Sequence, residues 1–94
     1  MLTLNVSIEE MRDMVRTTSP ALDDELITLK GAFLHDLSIA GVETLPEGDD
    51  LAKAALRLYL RWQINHNAEG DRYYEIYTLT RAAMALSSDY KAVR

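Results

Sequence analysis

The chain has no cysteine, which excludes disulfides, thiolate metal sites and thiol nucleophiles, and is consistent with a reducing compartment. It has only two histidines, His35 and His66, far apart and without the i, i+3 or i, i+4 partners that metal ligation uses. Bases are short as well: ten against fifteen acids, for a net charge of −5. A protein that grips the phosphate backbone needs a basic face, so a conventional nucleic-acid-binding module is disfavoured. No apolar run approaches the roughly 18 residues of a membrane span, and MLTLNVSIEE lacks the basic start of a signal peptide. No glycine-rich phosphate loop, GxSxG elbow or nucleophile–base pattern occurs. No enzyme, metal or cofactor is expected.

The residues that are present describe a small helical domain. Ninety-four residues make one domain with a thin core, and 48% apolar with 27% charged residues is a globular composition. Leu2, Leu4 and Val6 alternate with Thr3 and Asn5 as a short extended lead-in. Ser7 and Glu10 form a capping box, and Met11, Met14 and Val15 carry a first helix over about 7–17, stopped before Pro20. Asp23, Asp24 and Glu25 open a second helix whose stripe is Leu22, Leu26, Leu29, Phe33 and Leu37, ending at Gly41.

After the loop GVETLPEGDD, Asp49 or Asp50 caps a third helix. This helix has two apolar stripes, Leu51, Ala55, Leu58 and Trp62 on one and Leu56, Leu60 and Ile64 on the other. HNAEGD interrupts the pattern, and a fourth helix is predicted over about 71–86 with Asp71 as its cap. On it, Ile76, Leu79, Ala83 and Leu86 form one edge, and Tyr73, Tyr77, Thr80 and Met84 the adjacent one. SSDYKAVR lacks helical periodicity and is expected to be a mobile tail over 87–94. The predicted fold is all-α: a small bundle of about four helices, with an extended N-terminal lead-in and a flexible C-terminal tail.

The cluster around His66, with Asn65, Asn67, Glu69 and Asp71, reads as a helix joint rather than a catalytic or metal centre. The acids at helix starts read as caps. The aromatics carry more information, because all five tyrosines and the single tryptophan lie toward the C-terminal end, from Tyr59 to Tyr90. Tyr73 and Tyr74 lie about 100° apart on a helix and cannot both point into one narrow core. Two apolar stripes on the third helix and C-terminal aromatics exceed what a thin core uses, which points to assembly.

The order of elements resembles the head–tail connector (head-completion or DNA-packaging) proteins of long-tailed bacteriophages. The resemblance rests on the acid-led helix DDELITLKGAFLHDLSIAGV and the proline-containing loop after it. It continues through LAKAALRLYLRWQINHN, the acidic break and RYYEIYTLTRAAMALSSDY, so it covers nearly the whole chain. It departs at the end of the third helix, where Gln63, Asn65 and His66 stand in place of an expected Lys or Gly. The resemblance implies a structural virion protein at the head–tail interface, assembled in the host cytoplasm as a ring of about twelve copies under the portal protein. Such a ring extends the channel for double-stranded DNA, which passes without specific binding, and docks a stopper or tail-completion protein. On this reading Trp62, Tyr73, Tyr74 and Tyr77 support subunit contacts or the core behind them. Ser88, Asp89, Tyr90, Lys91 and Arg94 form a tail that orders on the portal, and Glu47, Asp49 and Asp50 face the channel. Two other readings stand beside it: a dimeric helical adaptor or regulator unrelated to virions, and a small enzyme built on His66.

Overall fold

A computed structural model describes residues 2–65 and 68–92. Its α-helices are α1 (Ile8–Met14), α2 (Asp23–Ala40), α3 (Asp50–Ile64) and α4 (Ala68–Leu86), with 3-10 turns at Pro20–Leu22 and Ser88–Tyr90 and no strand among the described residues. The all-helical architecture is therefore the one the spacing predicts. The lead-in behaves as its alternation requires, with Leu2, Leu4 and Val6 buried and Thr3 and Asn5 exposed.

Local chemistry sets the helix ends. The Ser7 hydroxyl accepts from the Glu10 amide to cap α1. α1 is shorter than its sequence pattern implies, because Arg16 adopts a left-handed φ of 59° and turns the chain. Arg61 of α3 donates through Nε to the Met14 carbonyl at 2.7 Å, satisfying one of the carbonyls exposed at that end. Arg12 then clamps Asp23 with two guanidinium nitrogens, Nε and Nη2, tying α1 to the start of α2 and holding the Asp23 carboxyl below its usual range. Gly41 closes α2 with φ +109°, a conformation that side chains disfavour.

Helices α3 and α4 pair as an antiparallel hairpin, and α2 packs against both. Leu26, Phe33 and Leu37 of α2 meet Ala52, Ala55, Leu56, Tyr59 and Leu60 of α3 and Tyr77 and Met84 of α4 in one core. Not all of the Leu51–Ala55–Leu58–Trp62 stripe of α3 is used in the core: Leu51 is exposed and Leu58 and Trp62 are half-buried.

The joint between α3 and α4 differs from the predicted one. His66 and Asn67 lie outside the described residues, but α4 begins at Ala68, so Asp71 sits in its first turn rather than capping it. Asn65 closes α3 by donating its amide to the Arg61 carbonyl at 2.9 Å. Gly70 is buried against that corner, and a Cβ there would lie 2.2 Å from the Asn65 carbonyl oxygen. Only a residue without a side chain lets the two helices close so tightly. Gly70→Ala is therefore expected to destabilise the chain by about 1–3 kcal/mol, as overpacking does, seen as a lower urea midpoint with an unchanged slope.

Candidate functional site

The aromatic residues form one connected cluster. Phe33 from α2, Tyr59 and Trp62 from α3, and Tyr74 and Tyr77 from α4 join in tilted, edge and stacked contacts. Their centroid distances run from 4.3 Å for Trp62–Tyr74 through 5.3 Å for Tyr59–Tyr77 to 6.4 Å for the stacked pair Trp62–Tyr77. Such pairs add stabilisation beyond the area they bury.

The four residues expected to make subunit contacts divide by depth. Tyr77 is 0% exposed and belongs to the core, the second of the two roles expected for this group. Tyr73 is half-buried: its hydroxyl donates to Glu69 at 2.7 Å and the Arg61 guanidinium lies 5.7 Å over its ring. Trp62 is half-buried, and Tyr74, 40% exposed, packs on it. These two help to line a surface groove of about 270 Å³ between α2 and α4, with His35 and Ile39 on the opposite wall and Asp36 and Arg81 bridging it.

That bridge satisfies the buried tyrosine. Tyr77 donates its hydroxyl to Oδ2 of Asp36 at 2.5 Å, and Arg81 donates to the same oxygen at 2.8 Å. Arg81 also stands 5.5 Å over the Tyr77 ring. Burial, followed by the hydrogen bond to Asp36, pushes the Tyr77 hydroxyl far above the ordinary tyrosine range.

The residues expected in the tail and on the channel also meet. Tyr90 is buried, its hydroxyl donates to Oδ2 of Asp49 at 2.7 Å, and its carbonyl accepts from the amides of Glu43 and Thr44. The same Asp49 oxygen accepts from the Ala52 amide at 2.9 Å and so caps α3. Lys91 reaches the Gly41 carbonyl at 2.6 Å and helps close α2. The described part of the expected tail packs on the bundle through one aromatic ring and two amides. Arg94 lies outside the described residues, and Ser88 and Asp89 are exposed. Asp49 is engaged in structure rather than presented as a free channel charge, whereas Glu47 and Asp50 remain exposed.

A further apolar surface is one that the aromatic argument passed over. On α4, Leu79 is 73% and Leu86 87% exposed, with Ile76 and Ala83 beside them. Its signal was legible as the 3-4-3 spacing of that edge. Among the described residues no three His, Cys, Asp or Glu side chains converge as a metal site would need, and no helix is long and apolar enough to cross a membrane.

No family model, curated protein or solved structure matches the chain.

Two outcomes follow from the buried tyrosines. Tyr77→Phe keeps the ring but loses a hydrogen bond to a carboxylate, and is expected to cost about 1.5–3 kcal/mol in urea denaturation. Burial and then the Asp49 bond push Tyr90 up to about 12, whereas an unfolded tyrosine ionises near pH 10. Its contribution is complete below about pH 10 and is lost as pH rises toward its folded value. The stability difference between the native chain and Tyr90→Phe should therefore shrink across that window.

Proposed function

We propose that this chain is a head–tail connector, a structural rather than catalytic protein that assembles as a ring beneath a portal. There it extends the DNA channel and docks the stopper or tail component that follows. The observation that carries this reading is the apolar edge of α4, left exposed after α2, α3 and α4 have filled a complete core. Leucines that a single chain leaves in water at the cost of hydration favour burial by association. Ring closure requires unlike faces on each subunit, since identical patches meeting each other close as a two-fold dimer instead. The order of helices, which resembles that of the connector proteins, and the net charge of −5, which leaves passing phosphates little to bind, add support.

The exposed Ser88 and Asp89, held next to an anchored Tyr90, belong to the portal-docking tail in this reading. Glu47 and Asp50 remain as the channel-facing acids. The virion is the corresponding location, with the host cytoplasm during assembly.

Light scattering across concentration, alone and with a portal preparation, tests the proposal. A mass of about twelve copies, or a small species that joins the portal, is the expected result. A concentration-independent dimer that ignores the portal would replace it with the two-fold adaptor.

A further inference from the structure

Resting on the ring reading, we propose that the exposed edge of α4 docks on the outer face of α2 in a second copy of this chain. The face it meets is a shallow apolar hollow of about 290 Å³ lined by Leu2, Gly31, Leu34, His35 and Ser38. Gly31 is the clue to what fills it. It sits in the middle of an 18-residue helix, where glycine is disfavoured, and an added Cβ would meet nothing within 4 Å. Nothing inside the chain requires a glycine there, whereas a helix approaching from outside does.

The two faces are unlike and lie on opposite sides of the molecule. Asp36 on α2 and Arg81 on α4 mark where the two helices meet. At 100° per residue, the Gly31–Leu34–Ser38 stripe lies about 160° around α2 from Asp36, and the Ile76–Leu79–Ala83–Leu86 edge about 180° around α4 from Arg81. One copy therefore offers the ridge at one side and the hollow at the other, the head-to-tail arrangement that propagates around a ring.

Spacing and charge both select the partner. Within the chain α2 and α4 run in the same direction, since Asp36 lies beside Tyr77 and Arg81, and Gly41 beside Ala85. Neighbours in a large ring differ by a small rotation, so α4 meets the next α2 in the same sense. In that sense the two seams match in heptad register: Ile76 over Gly31, Leu79 over Leu34 and Ala83 over Ser38. A branched side chain then falls where the partner has none. The same register sets Arg72 beside Asp24 and Glu75 beside His35, and neither Arg72 nor Asp24 has an ion-pair partner among the described residues.

The absence of native cysteine makes the test direct. A chain carrying both Gly31→Cys and Ile76→Cys should oxidise to a ladder of dimers, trimers and larger species. Either single variant should remain monomeric, and an equimolar mixture of the two should stop at dimer. Positions 31 and 76 lie on opposite sides of one chain, so the bond forms only between copies. Asp24→Arg and Arg72→Asp should each lower the assembled mass, and together restore it. Dimers from Ile76→Cys alone would reveal a two-fold pairing of α4 and overturn the proposal, as would a double variant that folds with the native melting curve and does not crosslink. A ring detected by mass without the 31–76 crosslink rejects this interface while the ring stands. A ladder that never joins a portal keeps the interface and rejects the connector role.

Discussion

The bundle depends on one buried tyrosine and the carboxylate that accepts its hydrogen bond. Tyr77 lies where α2, α3 and α4 converge, touching the rings of Phe33, Tyr59 and Trp62. A hydroxyl at that depth must have an acceptor, or the ring could not be buried without losing its bond to water. Asp36 supplies it from α2, and Arg81 from α4 balances the charge thus placed near the core. Because Asp36 joins both residues, the depth of Tyr77, the α2–α4 spacing and the groove above them are set together.

A second carboxylate does the same at the far end. Asp49 caps α3 and holds Tyr90, so a helix start and the C-terminal segment meet on a single oxygen. Asp36, Asp49 and Asp23, acids in a chain of net charge −5, are each committed to a specific structural partner. The acidity that remains on the surface is therefore carried by other residues, including Glu47, Asp50 and Glu75.

The functional reading grows from what these contacts leave over. With its core closed around Tyr77, the chain still exposes a ridge on α4 and a hollow on α2. Neither surface improves the fold of a single copy. Gly31 lowers the helical preference of α2 without relieving any internal crowding, and Leu79 and Leu86 stand in water. In the proposed assembly one surface covers the other.

Local sequence determined the helical class and most of the element boundaries. Ser7, Asp49 and Gly41 are residues whose own side chains or backbone freedom set a helix end, so their roles followed from identity and position alone. The alternation of Leu2, Leu4 and Val6 and the 3-4-3 edge of α4 were legible because burial repeats with backbone geometry. Tertiary structure decided which aromatic was core and which was surface. Tyr73, Tyr74 and Tyr77 share one composition and one helix, and only the positions of α2 and α3 send the third inward and leave the others at the rim. It also anchored Tyr90, whose acceptor lies 41 residues earlier in the chain. Periodicity reports what a residue shares with its near neighbours, and a partner that distant leaves no periodic trace.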